Sequence, residues 1–216
     1  MSAQTMEKVV VKAVFDPGAR MTACDFLAAK SGLSKGRVKD AMNKGAAWIR
    51  KKGGGMRRLR RATALPDAGD RLELYYDGKL LSVKPPAAKC LSDKRRYSVW
   101  YKPAGLLAQG TMYGDHCSLE RQAELFFKSA REVYLVHRLD REAEGLMLLA
   151  HDKNAAARLS ELFQKDMIAK KYRLEVLGDL AVKGKQGTIE LPLDGKHALS
   201  MYEVESYHRE SNTTTV

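Results

Sequence analysis

Residues 133–150 read VYLVHRLDREAEGLMLLA and place a charged loop between two apolar segments. The segments Val133–Val136 and Gly145–Ala150 have the length and composition of short buried strands. The loop between them carries five charged side chains, which are Arg138, Asp140, Arg141, Glu142 and Glu144. The stretch therefore predicts a strand, an exposed polar loop and a second strand.

The residue types in this loop are compatible with several kinds of site. One interpretation is an ordinary surface loop, whose charged side chains pair with one another. A metal site would draw on His137, Asp140, His151 and Asp152, although no known ligand spacing supports it. A Ser-His-Asp or Cys-His site lacks a nucleophile motif. A glycosidase pair of carboxylates and a single carboxylate nucleophile beside an arginine stay open.

Regular elements are predicted on both sides of the loop. Tyr97–Tyr101 alternates as a strand and runs into a turn at Pro103 and Gly105. Further predicted elements are a helix over Ser118–Lys128, a helix capped by Asp152 and a strand over Lys171–Val176. The earlier part of the chain predicts two helices, Thr22–Lys30 ended by Gly32 and Lys35–Lys44 capped by Ser34 and ended by Gly45, and two strands, Ala46–Arg50 and Arg71–Tyr76.

Charge is distributed unevenly along the chain. Residues 1–96 hold 22 basic and 9 acidic side chains, whereas residues 97–216 hold 16 and 17. A basic module beside a nearly neutral one is typical of nucleic-acid binding, because each phosphate contact releases counterions. The candidate phosphate-binding residues are Lys35, Arg37, Lys39, Arg57, Arg58, Arg60 and Arg61.

Composition argues against several classes of protein. No apolar stretch has the length of a membrane helix, and the N-terminus lacks a secretory pattern. Cys24, Cys90 and Cys117 are too few for a disulfide framework or a zinc site, which favours a cytoplasmic protein with free thiols. No glycine-rich cofactor loop is present. We therefore expect neither secretion nor membrane association.

The basic part resembles the S4 RNA-binding domain. The resemblance rests on Leu33–Arg37, on Gly45 after the second helix and on Ala68–Leu72. It covers about Ala19 to Tyr76 and implies an S4-like domain over residues 1–83. The Pro-rich and charged stretch 84–96 is then predicted to be a linker.

The remainder, 97–216, resembles the RluA-type pseudouridine synthases. The motifs that carry this resemblance are His137–Asp140 followed by Gly145–Ala150, then Lys102–Leu106 and Lys170–Tyr172, in matching order. It implies an α+β chain whose second domain is built on a mixed, mostly antiparallel sheet. The chain ends before the family's Thr-Gly-Arg-x-His-Gln-Ile-Arg motif, so the resemblance predicts an incomplete sheet with an exposed edge.

The resemblance implies a role for four residues. Asp140 corresponds to the catalytic aspartate, and Arg138 to the arginine that fills the base stack when the target uridine is flipped out. Tyr172 corresponds to the tyrosine that packs against the uracil. Lys102 lies in a motif at the edge of the active site and is a candidate RNA contact. The implied activity is the isomerisation of uridine in RNA, with ribosomal RNA favoured over transfer RNA. This reaction has no net redox change and adds no group, so we expect no cofactor and no metal. The alternative is a catalytically inactive S4-domain RNA-binding protein.

Overall fold

The computed structural model describes residues 8–16, 21–195 and 197–216. The chain divides into two units, the first ending at Lys165 and the second running from Asp166 to Val216. Helices and sheets occur together, and the strand pairs of the described sheets are antiparallel. The predicted α+β class with mostly antiparallel sheets is confirmed.

Within its described residues, the first unit contains two four-stranded sheets and five helices. Its strands are β1 (Lys8–Val14), β2 (Ala47–Arg50), β3 (Met56–Arg58), β4 (Arg71–Asp77), β5 (Lys89–Asp93), β6 (Tyr97–Lys102), β7 (Tyr134–Leu135) and β8 (Gly145–Ala150). Its helices are α1 (Ala23–Ser31), α2 (Lys35–Asn43), α3 (Gly78–Ser82), α4 (Leu119–Phe126) and α5 (Lys153–Gln164).

Residues 8–16 and 21–82 form what we call the N-terminal module. Its sheet has the order β1-β4-β2-β3, and α1 and α2 share one hydrophobic core with it. Ser34 begins α2 by accepting a hydrogen bond from the Arg37 amide, and Gly32 ends α1 in a left-handed conformation. Both helices therefore begin and end close to where their capping residues predict.

Two strands of the module are absent from the sequence prediction. β1 pairs with β4 along its whole length, and its half-buried Val9, Val11 and Ala13 alternate with exposed residues. β3 lies between the two predicted strands Ala46–Arg50 and Arg71–Tyr76, and it pairs with β2. Both are edge strands, which bury one face at most and so carry a weak apolar signal.

The second sheet has the order β5-β6-β8-β7. β6 and β8 pair in register from Tyr97 opposite Ala150 to Lys102 opposite Gly145. Trp100, Met147 and Leu149 fill the core beneath them. β5 lies within the stretch 84–96 predicted as a linker, where Ala88 and Cys90 pack against this core.

The second unit consists of short strands and one 3-10 helix, Leu180–Lys183. The strands β12 (Ser206–His208), β13 (Thr213–Thr215) and β9 (Glu175–Leu177) form one sheet, and β10 (Gln186–Glu190) pairs with β11 (Leu199–Glu203). The predicted strand over Lys171–Val176 is wrong for its first residues, because no described strand pairs with Lys171–Arg173. Among the described residues, no helix is long and apolar enough to cross a membrane.

Candidate active site

The Asp140 loop, residues 136–144, joins β7 to β8 and alternates between anchored and exposed positions. His137 accepts a hydrogen bond at Nε2 from the Leu148 amide at 3.0 Å, and its ring stacks on Phe163 with centroids 4.3 Å apart. Leu139 is buried in the core of the second sheet. Arg138, between these anchors, and Asp140, directly after Leu139, are exposed. The loop therefore presents Asp140 to solvent from a fixed backbone.

The ammonium group of Lys102 holds the backbone on the far side of Asp140. Its Nζ donates to the Ala143 carbonyl at 2.6 Å and to the Leu106 carbonyl at 2.7 Å. Longer bonds reach the carbonyls of Pro103 and Arg141, at 3.2 and 3.4 Å. The Gly105 amide donates to the same Arg141 carbonyl at 2.7 Å. One cation thus joins the turn after β6 to the Asp140 loop.

The side chain of Lys102 is buried beneath the Asp140 loop. The residue is 0% exposed, so its ammonium does not reach a ligand in solvent. A lysine is buried at this depth only where its charge is compensated, and carbonyl dipoles supply the compensation here. Burial lowers the pKa of Lys102, whereas the negative charges of Glu142, Asp140 and Glu144 oppose that shift. Lys102 therefore positions the loop.

The exposed charges of the loop do not neutralise one another. Within the described residues of the first unit, Arg138, Asp140, Arg141 and Glu142 form no ion pair. Glu144 accepts a hydrogen bond from the Tyr101 hydroxyl, which raises the pKa of that tyrosine. The interpretation of a surface loop with locally paired charges therefore does not hold, and the Asp140 carboxylate is available to a substrate.

A serine and a histidine do meet below the loop, but not as a nucleophile and its base. Ser98 Oγ and His151 Nε2 are 2.8 Å apart, while His151 Nδ1 lies 2.9 Å from the Glu132 carbonyl. Ser98 is 0% exposed and accepts a hydrogen bond from Trp100 Nε1. A substrate cannot reach this hydroxyl, and no carboxylate orients the histidine. The group ties β6 to β8.

The metal interpretation finds no support in the part of the chain that the structure describes. His137 is engaged by the Leu148 amide and by Phe163, and His151 by Ser98 and the Glu132 carbonyl. Asp152 is turned away to cap α5 and to accept two hydrogen bonds from Arg96, at 2.8 and 3.0 Å. No group of three or more potential ligands converges among the described residues.

The predicted phosphate-binding residues divide into two sets. Lys39, Arg57 and Arg61 are exposed, Arg37 is half-buried, and Lys35 is exposed but pairs with Asp25 at 2.6 Å. Arg58 and Arg60 instead turn toward Asp115, a buried carboxylate in the segment after β6. Arg58 Nη2 also donates to the Thr111 carbonyl at 2.9 Å. This contact occupies guanidinium nitrogens of Arg58 and Arg60, and their role as RNA contacts stays a prediction.

Tyr172 lies in the second unit, before β9, and is 59% exposed. An exposed aromatic ring of this size is a possible stacking surface for a base. Its role against the uracil stays a prediction.

Two functional relationships were not predicted from the sequence. The hydrogen bonds from Lys102 to the loop carbonyls have a signal in the sequence, because the alternation of β6 places Ser98, Trp100 and Lys102 on one buried face. The contact of Asp115 with Arg58 and Arg60 has none, because it joins residues more than fifty positions apart through a loop without periodicity.

Known proteins are similar to this chain over the part that contains the Asp140 loop. A family model described as RNA pseudouridylate synthase matches residues 96–216. The dual-specificity RNA pseudouridine synthase RluA of Vibrio parahaemolyticus is 30% identical over 129 residues, which cover 52% of this chain and 50% of that protein.

Two further relatives show the range of RNA classes in the family's names. The tRNA pseudouridine synthase C of Haemophilus ducreyi is 33% identical over 92 residues, 43% of this chain and 37% of that protein. The ribosomal large subunit pseudouridine synthase D of Vibrio cholerae is 31% identical over 87 residues, 35% of this chain and 27% of that protein. The chain spans half or less of the length of each of these relatives.

The match of the family model covers more than half of the chain and includes β6, the Asp140 loop and β8. It confirms the resemblance that the motifs around Lys102, Asp140 and Tyr172 predict, while the S4-like domain stays a prediction. The chain belongs to the RNA pseudouridylate synthase family.

Proposed function

We propose that this protein isomerises uridine in RNA to pseudouridine, with Asp140 as the catalytic carboxylate. The observation that carries the proposal is the position of Asp140, exposed and without an ion-pair partner in the first unit, on a loop that Lys102 holds from beneath. A catalytic group must be held in place by its surroundings while its own functional atoms stay free for the substrate. Asp140 meets both conditions.

The reaction suits a carboxylate acting without an added group. The N1–C1′ bond of uridine breaks, the uracil turns, and a new bond joins C5 to C1′. The isomerisation has no net redox change and adds no atoms, so its chemistry requires neither a redox cofactor nor a group donor. Ionised Asp140 either attacks C1′ or removes a sugar proton, and both roles are within carboxylate chemistry.

Arg138 and Tyr172 act on the target base in this proposal. Extruding a uridine from a stack costs a few kcal/mol, and a planar group that enters the vacated space offsets part of that cost. The guanidinium of Arg138 is planar and exposed two residues before Asp140. The ring of Tyr172 then packs against the flipped uracil.

The exposed basic residues of the N-terminal module bind the RNA backbone. Arg37 and Lys39 lie on α2, and Arg57 and Arg61 lie in and after β3. An S4-like module with this charge suits structured RNA, and we propose ribosomal RNA as the first class to test. The relatives' names include both ribosomal and transfer RNA.

The proposal is tested by tritium release from RNA labelled at C5 of uridine, isolated from cells that lack the gene. C5 loses its hydrogen only when the new glycosidic bond forms. We expect release by the wild type and none by Asp140→Asn, first on total RNA and then on separated ribosomal and transfer RNA. Salt-dependent RNA binding without release by the wild type would overturn the proposal and favour the alternative of an inactive RNA-binding protein.

A further inference from the structure

A buried ion pair joins the N-terminal module to the segment that follows β6. We call residues 107–118 of this segment the docking loop. Asp115 of the docking loop is 6% exposed and lies 2.9 Å from Arg58 Nε, with Arg60 on the same carboxylate oxygen. Nη2 of Arg58 donates to the Thr111 carbonyl at 2.9 Å. Two arginines of the module thus close on one carboxylate of the docking loop.

The docking loop also packs against the face of the module's sheet opposite α1 and α2. Trp48 Nε1 donates to the Met112 carbonyl at 2.9 Å, and Arg58 stacks over the Trp48 ring at 4.3 Å. Tyr113 meets Tyr75 edge to face, with ring centroids 5.6 Å apart. The register pairs Trp48 with both Arg58 and Glu73, so these side chains share that face. The contact therefore includes hydrogen bonds, aromatic packing and charge.

Glycines make the close approach possible. A Cβ at Gly45 would lie 2.8 Å from Asp115 Cγ, and one at Gly110 would lie 2.9 Å from Asp115 Cα and 2.8 Å from Arg58 Nη2. Real Cβ atoms do not approach other atoms this closely, so a methyl group at either position forces the atoms around Asp115 to shift. The module and the docking loop therefore pack closely around Asp115.

A continuous series of contacts connects this junction to Asp140. The docking loop is closed by the Leu107 amide on the Cys117 carbonyl, at 3.0 Å. It begins directly after Leu106, whose carbonyl accepts from the Lys102 ammonium. The same ammonium holds Ala143 in the Asp140 loop. The position of the module and the position of Asp140 are therefore set by one connected framework.

We infer that Arg58, Arg60 and Asp115 are positioning residues. They hold the exposed basic residues of the N-terminal module at a fixed distance from Asp140, so that one folded RNA must contact both. The inference rests on the proposed function. It adds that the preferred substrate is an RNA in which the backbone segment bound by the module and the target uridine are separated by this same distance. A fixed linkage makes the second contact intramolecular and raises its effective concentration.

Gly110→Ala tests the inference without changing any charge, because its added Cβ would clash with both Asp115 and Arg58. Gly55→Ala is the matched control, since a Cβ there meets nothing within 4 Å. Tritium release is measured on two RNAs, the whole folded RNA and a short stem-loop that carries the same uridine but lacks the backbone site. Thermal melting confirms that each variant is folded.

We expect Gly110→Ala to lower kcat/KM on the whole RNA by roughly tenfold or more and to leave the stem-loop rate at the wild-type value. Arg60→Gln should act in the same way, and combining it with Gly110→Ala should cost no more than either change alone, because both open the same junction. Asp115→Asn should also lower kcat/KM on the whole RNA.

Two results would overturn the inference. If Arg58 and Arg60 bound phosphate directly, Asp115→Asn would release them and strengthen RNA binding, and Gly110→Ala would not weaken it. Equal loss on the two RNAs in every folded variant would show that the junction maintains the catalytic loop rather than the spacing. A wild-type protein inactive on both RNAs would instead count against the proposed function, and this outcome is separate because it does not depend on the variants.

Discussion

Lys102 and Ala143 are joined by a hydrogen bond of 2.6 Å from a fully buried ammonium to a carbonyl three residues after Asp140. The bond explains how a loop with several exposed charges keeps one conformation. The lysine of β6 supplies the positive charge on the inner side of the loop, and Asp140 is presented on the outer side. The same ammonium binds the Leu106 carbonyl at the start of the docking loop.

Replacing this ammonium should destabilise the fold and slow the reaction. Lys102→Met keeps the length of the side chain but leaves buried carbonyls without a donor, which should lower the free energy of unfolding by about 2–3 kcal/mol. We expect kcat to fall while RNA affinity is nearly unchanged, because Lys102 does not face solvent. Urea unfolding and steady-state kinetics measure the two effects.

Lys94→Met is the control for this change, because Lys94 is exposed and lies in the turn before β6. Its unfolding free energy should stay within about 0.5 kcal/mol of the wild type. A stable Lys102→Met variant with weakened RNA binding would contradict the positioning role.

The charge of Arg138 should matter less than its shape. Arg138→Lys keeps a cation beside Asp140 but loses the planar guanidinium that can enter a base stack. We expect kcat to fall by about tenfold or more on a stacked target, because extrusion costs a few kcal/mol, with little change in RNA affinity. Single-turnover kinetics and filter binding separate the two quantities.

A second substrate sharpens this prediction. When the target uridine lies in a bulge, where stacking is already reduced, Arg138→Lys should recover most of the wild-type rate. An equal defect on the stacked and the bulged uridine would count against the stacking role.

Lysines on α2 should differ in their contribution to RNA binding. Lys39 is exposed and has no ion-pair partner among the described residues, whereas Lys35 is 2.6 Å from Asp25. Lys39→Ala should make the fall of log affinity with log salt concentration less steep, by about one unit of slope. Lys35→Ala should lower it by less, because Asp25 already neutralises part of that charge. Binding titrations at several salt concentrations give the slopes, and a larger effect for Lys35 would refute this ranking.

Acid should weaken the start of α5 through Asp152. The Arg96 guanidinium and the Ala155 amide hold the pKa of Asp152 below its ordinary value of 3.8. A carboxyl with a lowered pKa stabilises the fold above its unfolded-state pKa, and that contribution is lost as the pH falls through the folded-state value. Asp152→Asn keeps the helix cap but loses the ion pair with Arg96.

Urea unfolding across pH measures this contribution. The wild type should be more stable than Asp152→Asn near pH 6, and the difference should shrink as the pH falls below 3.8. A difference that stays constant across this range would show that the ion pair does not contribute through the charge of Asp152.

The sequence predicts elements whose signals are local. β8 is a continuous apolar run bounded by Gly145, and α2 lies between Ser34 and Gly45, so their bounds agree closely with the structure. β5 is not predicted, because the prolines before it suggest a linker while its stability comes from pairing with β6. Lys171–Arg173 alternates like a strand but lacks a described partner, and a strand exists only where another pairs with it.

The candidate site shows the same division between local and distant information. The position of Asp140 on an exposed loop between strands follows from its neighbours in the sequence. The hydrogen bonds from Lys102 and the junction of Arg58 and Arg60 with Asp115 depend on which segments meet in space. Charged residues that appear suited to phosphate in the sequence can therefore be occupied by an internal carboxylate.

Single-turnover tritium release by Asp140→Asn beside Glu142→Gln tests the central claim most directly. Both side chains are exposed carboxylates on the same loop, and each substitution removes one negative charge while keeping the shape of the side chain. The account predicts that Asp140→Asn abolishes release while still binding RNA, and that Glu142→Gln retains a rate near that of the wild type. Measurable release by Asp140→Asn, or loss of release in Glu142→Gln alone, would contradict the assignment of Asp140 as the catalytic carboxylate.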